Sequence, residues 1–206
     1  MRLQAICLAL FVTATANAQV GNNEGLLDPN LASADDLAAV PHMSSELVDA
    51  LVAARPVNTT SELDEILGAS LSDEQKTEVY GSLFRQIDLN NASDADIMLI
   101  PGMSKKMAHE FDEYRPYASL EQFRREIGKY VDEDEVARLE QYIFIPMDLN
   151  TASEDAFLTI PGMTKRMAHE FDEYRPYSDM EQFRREIGKY VDEDEVSRLE
   201  SYVTLQ

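Results

Sequence analysis

The sequence predicts an all-α chain: a tandem array of three units, each built from two helix–hairpin–helix pairs. Three observations carry that prediction. Asp28-Pro29-Asn30-Leu31-Ala32-Ser33 matches Asp88-Leu89-Asn90-Asn91-Ala92-Ser93 and Asp148-Leu149-Asn150-Thr151-Ala152-Ser153 at a fixed period of 60 residues, and Arg55-Pro56, Arg115-Pro116 and Arg175-Pro176 keep the same register. Fixed spacing over three copies is the signature of a tandem array. Ile100-Pro101-Gly102-Met103-Ser104-Lys105-Lys106-Met107-Ala108 recurs as Ile160-Pro161-Gly162-Met163-Thr164-Lys165-Arg166-Met167-Ala168, with a weaker copy at Val40-Pro41-His42-Met43-Ser44-Ser45-Glu46-Leu47. A Pro-Gly pair between apolar-periodic segments is a tight turn, because Gly reaches φ > 0 freely and the Ser or Thr after it caps the next helix. Apolar residues fall at helical spacing throughout the unit, and no strand pattern is expected.

The chain opens with Arg2, an apolar run from Ala5 to Ala14 and Ala16-Asn17-Ala18, the small-x-small pattern cut by a signal peptidase. Residues 1–18 therefore read as a signal peptide, with the mature chain beginning at Gln19 in the periplasm or outside the cell. The run is too short to span a bilayer, and no later segment is expected to do so. Residues 19–26, polar and rich in Asn and Gly, read as a flexible leader. The three units follow at 27–86, 87–146 and 147–206.

In the second unit, Ser93 caps a short helix reaching Ile100, with Asp94 and Asp96 in its first turn. After the hairpin, Ser104 caps a second helix whose apolar stripe is Met107, Ala108, Phe111 and Tyr114, and Pro116 stops it. Ser119 caps a third helix with Leu120, Phe123 and Ile127 on one face and Gly128 just past its end. Asp132 and Glu135 form a capping-box-like start to a fourth helix with Val136, Leu139 and Ile143 inward. The second hairpin is the degenerate Ile127-Gly128-Lys129-Tyr130-Val131-Asp132. One helix–hairpin–helix pair of about 25 residues buries too little to stand alone, whereas two packed pairs approach the ~60-residue lower range of independent domains. Connectors such as Phe144-Ile145-Pro146-Met147 are too short and apolar to be free linkers, so neighbouring units are expected to dock.

Units two and three share identical runs, Met107–Tyr117 with Met167–Tyr177 and Glu121–Val136 with Glu181–Val196, as in a duplication. The only cysteine, Cys7, lies in the expected signal segment, which leaves the mature chain without a disulfide, a thiolate nucleophile or a thiolate metal ligand. Loss of Arg2 leaves 17 basic against 39 acidic side chains, a net charge of −22. Such a field repels polyanions at long range and attracts basic proteins or cations.

The Asp-Leu-Asn-Thr-Ala-Ser segment, the apolar helix, Ile-Pro-Gly-Met-Thr and Tyr-Arg-Pro together resemble the helix-hairpin-helix module of ComEA-type competence proteins, over residues 27 to 203. The resemblance implies a tandem array of three double helix-hairpin-helix (SAM-like) domains in an exported protein that binds double-stranded DNA. In that family a second glycine opens the hairpin, and backbone N–H groups at a helix N-terminus meet phosphate oxygens. Here Ser104, Thr164 and Ser44 stand in place of the second glycine, and His42 replaces the first. The sequence is also similar to modules that use the fold for protein contacts, the minor pseudopilin K of type II secretion and the extrinsic U-type subunit of photosystem II.

Two sets of candidate site residues follow. Gly102, Met103, Ser104, Lys105 and Lys106, with Gly162, Met163, Thr164, Lys165 and Arg166, are the candidate ligand or DNA-backbone hairpins. Tyr114, Arg115 and Tyr117, with Tyr174, Arg175 and Tyr177, end the second helix and read first as core packing with an Arg that satisfies nearby carbonyls or a carboxylate; the alternative reading makes them the candidate protein-contact edge, since Tyr and Arg are enriched at binding hot spots. Arg124, Arg125, Lys129 and their copies Arg184, Arg185, Lys189 sit near the second hairpin, either as a second basic face or as partners of carboxylates on solvated helix faces. Asp132-Glu133-Asp134-Glu135 and its copy read as helix-start acids favoured by the macrodipole. His42, His109 and His169 lack the spacing of a zinc helix, and no nucleophile, base and orienter set is evident, so neither an enzyme nor a cofactor or metal site is expected. The favoured reading is an exported scaffold presenting hairpins and Tyr-Arg edges to a protein partner. The alternative is sequence-independent binding of duplex DNA by units two and three, against a penalty set by the net charge.

Overall fold

A computed structural model of the chain describes residues 25–205, so the expected signal segment and most of the leader lie outside the described residues. The described chain is mostly helical, and its elements repeat at the period seen in the sequence. The first repeat holds α1 (Ala34–Ala38), α2 (Ser45–Ala53), α3 (Thr60–Gly68) and α4 (Asp73–Tyr80). The second holds β1 (Ile87–Asp88), α5 (Asp94–Met98), α6 (Lys105–Glu113), α7 (Leu120–Ile127), α8 (Glu133–Glu140) and β2 (Ile143–Phe144). The third holds β3 (Met147–Asp148), α9 (Glu154–Phe157), α10 (Lys165–Glu173), α11 (Met180–Ile187), α12 (Glu193–Glu200) and β4 (Val203–Thr204). Among the described residues no helix is long and apolar enough to cross a membrane.

Every helix start carries its cap. Ser33, Ser93 and Ser153 accept from the backbone N–H three residues on, as do Ser104, Thr164, Ser119 and Asp179 at the helices that follow. Asp132 caps α8 by accepting from Glu135 N, but the reciprocal half of the expected capping box is missing because Glu135 turns to Arg138 instead. Gly128 does lie at the end of α7, yet with φ −61° it stays right-handed. A Cβ there would lie 2.6 Å from the Arg124 carbonyl oxygen, so close approach is what calls for glycine.

The expectation of a strand-free chain is corrected by the parallel pairs β1–β2 and β3–β4 and by an isolated parallel bridge between Leu27 and Leu83. Ile143, expected on the inner face of the fourth helix, belongs to β2, since α8 ends at Glu140. Two-residue strands carry no readable alternation. They form because the start of each repeat meets its end: Leu27 with Leu83, Ile87 with Ile143 and Met147 with Val203, 56 residues apart in each case. The next repeat begins within a few residues of each closure, which accounts for the sequence period.

Inside each closure the repeated loop motif is tied to the middle of its own repeat. Asn90 accepts from Tyr117 N at 2.7 Å and donates to Tyr117 O at 2.9 Å, copying a strand pairing with one side chain. Asn30 does the same with Val57, and Asn150 with Tyr177. Asp28, Asp88 and Asp148 hold the loop by accepting from the backbone N–H of those asparagines. Arg115 Nε donates to Leu89 O at 2.7 Å and Nη2 to Ala92 O at 2.9 Å, and Arg55 and Arg175 brace their own loops identically. The Arg55-Pro56, Arg115-Pro116 and Arg175-Pro176 bonds that follow are all cis.

The repeats dock, as the short apolar connectors led one to expect. Buried side chains from Leu26 to Ile143 form one apolar core shared by the first two repeats, and those from Leu149 to Val203 form a second. Consecutive repeats meet through aromatic pairs, Phe84 with Tyr142 and Phe144 with Tyr202, whose ring centroids lie 4.9 and 4.7 Å apart. The first repeat also reaches the third, through Asn58 to Ser197 Oγ and through Arg85 to Tyr202 and Ser201.

The loop tie generates a test. Asn90→Ala strips both partners from a half-buried backbone amide and is expected to cost about 2–3 kcal/mol, whereas Asn91→Ala, which loses one exposed hydrogen bond, costs about 1 kcal/mol or less. Urea unfolding of the two variants measures the difference.

Candidate functional site

Each hairpin is a four-residue turn of defined type. Met103 N donates to Ile100 O and Met163 N to Ile160 O, both at 3.0 Å, with Gly102 at φ 76° and Gly162 at φ 75°. Proline at the second position and a left-handed residue at the third specify a type II turn. The first repeat makes the same turn with His42 at φ 66°, a conformation in which histidine, unlike glycine, is strained. Ser104 and Thr164 accept from Met107 N and Met167 N at 3.2 Å, so both side chains serve as helix caps.

The last helix of each repeat braces its turn. Arg138 Nη1 donates to Pro101 O at 2.8 Å while its Nε and Nη2 bind Glu135, and Arg198 treats Pro161 and Glu195 the same way. In the first repeat Glu78 occupies the arginine position and pairs with His42 Nε2 at 2.7 Å, a charge-exchanged brace for the same turn.

Identical sequence does not give identical exposure. The Arg138 side chain is 34% exposed, but that of Arg198 only 2%. Pro161 and Met163 are buried where Pro101 and Met103 are half-buried. Leu31 of the first repeat sits against this turn: its methyl carbons would lie 3.0 Å from a Cβ on Gly162, whereas a Cβ on Gly102 would meet no atom closer than 3.6 Å. The hairpin of the second repeat borders a cleft of about 330 Å³ lined by Asp64, Asp73, Lys76 and Tyr80 of the first. Lys76 there is held by Asp64 at 2.7 Å and Asp73 at 3.1 Å.

Most of the nearby cations are spent within the chain. Arg124 grips Glu140 through two nitrogens at 2.6 and 2.5 Å, and Arg184 grips Glu200 at 2.7 and 2.5 Å. Lys129 and Arg125 converge on Glu126 and together hold its carboxyl below the usual range, and Lys189 and Arg185 do the same for Glu186. Beside the hairpins, Lys106 lies over the Tyr130 ring at 5.8 Å, and Arg166 lies over Tyr190 at 5.6 Å and 3.9 Å from Glu170. Lys105 and Lys165 are exposed and make no ion pair among the described residues.

The Tyr-Arg edge divides. Tyr117 and Tyr177 are core residues, 2% and 3% exposed, and burial pushes their phenol groups up. Arg115 and Arg175 are committed to their loops and to Asp112 and Asp172. Tyr114 and Tyr174 remain half-buried at the surface, each hydroxyl bonded to that of Tyr130 or Tyr190 at 2.8 and 2.7 Å.

Sequence reading missed Arg85, which is fully buried between repeats. Its guanidinium lies 4.5 Å from the Tyr202 ring centroid and 5.6 Å from that of Phe144, and it donates to Tyr202 Oη and Ser201 Oγ. The available signal was positional: Arg85 aligns with Ile145 and Leu205. Among the described residues no group of three or more His, Cys, Asp or Glu side chains is arranged to hold a metal ion. Comparison with family models, with curated proteins and with solved structures returns no match.

Two tests follow. Gly102→Ala forces a Cβ into the left-handed region at about 1–2 kcal/mol. Gly162→Ala is expected to cost about 1 kcal/mol more by crowding Leu31, an excess that Leu31→Ala removes in thermal unfolding. Separately, the Glu154 hydrogen bond at 3.0 Å, with Glu173 and Glu170 nearby, holds the exposed His169 imidazole above its ordinary value. The charged form is favoured in the folded state, so this contribution is complete below about pH 6.5 and is lost as pH rises through the folded-state value. Glu154→Gln should lower the His169 midpoint in an NMR titration.

Proposed function

We propose that the chain is a tandem array of three double helix-hairpin-helix domains, residues 27–86, 87–146 and 147–206. We propose that it works as an exported, non-enzymatic scaffold making protein–protein contacts in a periplasmic or extracellular assembly. The observation that carries this reading is the internal neutralisation of the basic clusters: Arg124, Arg125, Lys129 and their copies are all paired with carboxylates of their own repeat. Sequence-independent affinity for duplex DNA comes from cations free to replace counter-ions at phosphates, and few remain here against a net charge of −21 for the whole chain. The acidic field instead favours a partner with a basic face. Contacts would be made by the exposed hairpin of the second repeat and the Tyr114 and Tyr174 surfaces.

The ComEA-like alternative, a grip on the duplex backbone through the hairpins, is supported by Lys105, Lys106 and Lys165, exposed on the first turns of α6 and α10. A salt series separates the two. Titration of labelled duplex DNA with the protein is expected to show no binding tighter than about 10⁻⁴ M at physiological salt, the weak end of non-specific affinities. Micromolar binding that weakens steeply with salt, and that is lost when Lys105, Lys106, Lys165 and Arg166 become Glu, would overturn the scaffold reading.

A further inference from the structure

The contact between the first and third repeats combines shared residues, Asp28 accepting from the Tyr202 hydroxyl at 3.4 Å, with several found at those positions in no other repeat. On one side stand Leu31, Asn58 and Arg85, where the second repeat carries Asn91, Ala118 and Ile145. On the other stand Ser197 and Ser201, where the otherwise near-identical second repeat carries Ala137 and Gln141. Asn58 Nδ2 donates to Ser197 Oγ at 3.1 Å, Arg85 donates to Ser201 Oγ at 2.6 Å and to Tyr202 Oη at 2.5 Å, and Leu31 rests on the Gly162 turn.

The contact is separable. The apolar core of the third repeat is distinct from the core shared by the first two, so parting the first and third repeats need not open either. Two of the five buried side-chain polar atoms without a hydrogen-bond partner among the described residues, Arg85 Nε and Asn58 Oδ1, lie at this contact. Each is an uncompensated desolvation that water would relieve on opening. A buried guanidinium where the sibling repeats have Ile145 and Leu205 is a poor choice for maximal stability and a workable one for a surface that must also meet water.

We infer that the first repeat is a displaceable cover on the Pro161 and Met163 flank of the third repeat's hairpin, shielding a side of that turn which the hairpin at Gly102 leaves half-open, while Gly162, Thr164, Lys165 and Arg166 stay exposed. Its consequence for binding rests on the proposal that the hairpins are contact sites. The cover itself does not.

Methionine oxidation reads the cover directly, because susceptibility follows exposure. Met163 is 5% exposed beneath the cover, its counterpart Met103 is half-buried, and Met43, 9% exposed in the first repeat's own turn, reports whether a variant stays folded. The full chain and the variant Leu31→Asn/Asn58→Ala/Ser197→Ala/Ser201→Gln are treated with dilute hydrogen peroxide and followed by peptide mass spectrometry. Every substitution brings in the residue the second repeat already carries at that position, so the fold of each repeat is preserved. In the unsubstituted chain Met163 is expected to oxidise several-fold more slowly than Met103. In the variant the Met163 rate rises to that of Met103 or beyond while Met43 stays slow. Equal rates for Met103 and Met163 in the unsubstituted chain, or an unchanged Met163 rate in the variant with Met43 still protected, would overturn the cover. Neither outcome depends on what the hairpins bind, so failure of the scaffold reading is detected separately by the DNA titration.

Discussion

The architecture depends on one interaction repeated three times: an asparagine side chain that pairs, donor and acceptor together, with the backbone of a residue 27 positions later. Short helices bury little surface each and have no long-range hydrogen bonds of their own. The Asn30, Asn90 and Asn150 ties supply such bonds between the entry loop and the corner between the two halves of the repeat. The arginine two residues before each tied backbone returns to carbonyls of the same loop, so entry and corner are fixed from both sides. The parallel closure at Leu27–Leu83, Ile87–Ile143 and Met147–Val203 then finishes what the tie begins.

That division of labour explains why the most conspicuous motif residues say so little about a ligand. In Asp88-Leu89-Asn90-Asn91-Ala92-Ser93 the aspartate fixes the turn, the asparagine ties the corner, the Leu89 and Ala92 carbonyls receive Arg115, and the serine caps α5. In Ile100-Pro101-Gly102-Met103-Ser104 the proline and glycine set the turn and the serine caps α6. These polar side chains and carbonyls have structural employment, which makes the pattern a specification of geometry. What distinguishes one user of such geometry from another must lie in the charges around it, and here Glu126, Glu140, Glu186 and Glu200 consume the basic clusters that a polyanion would need.

Much of the fold was legible in the sequence because its signals are local. Ser93, Ser104 and Ser119 each cap the helix that follows, and the apolar stripe of Met107, Ala108 and Phe111 faces the core. The strands were not legible, since two residues cannot display a period and their pairing is decided by partners 56 residues away. Placing Ile143 in α8 failed for the same reason: its spacing from Val136 and Leu139 suits a helix, but closure with Ile87 draws it into β2. The candidate edge was legible only in part. The packing reading holds for Tyr117, which carries the backbone tied by Asn90 and lies in the core, and for Arg115, which satisfies loop carbonyls and Asp112, so of the contact-edge reading only Tyr114 is left at the surface. Arg85 was invisible to helical periodicity because it sits in a connector, and only its alignment against Ile145 and Leu205 marks it as unusual.

The duplication adds a constraint that sequence identity conceals. Two copies of one hairpin, Ile-Pro-Gly-Met, occupy unlike surroundings, because the copy at Gly162 abuts Leu31 and the copy at Gly102 borders a cleft. The first unit folds back on the last, through Asn58 to Ser197 and Arg85 to Ser201 and Tyr202. The differences at the contact match that fold-back: the first repeat carries an apolar Leu31 against the turn and a long Arg85 at the junction, and in place of Ala137 and Gln141 the third carries Ser197 and Ser201, which accept from Asn58 and Arg85. Two differences between the otherwise similar second and third repeats, at Ser197 and Ser201, thus fall where the array closes on itself.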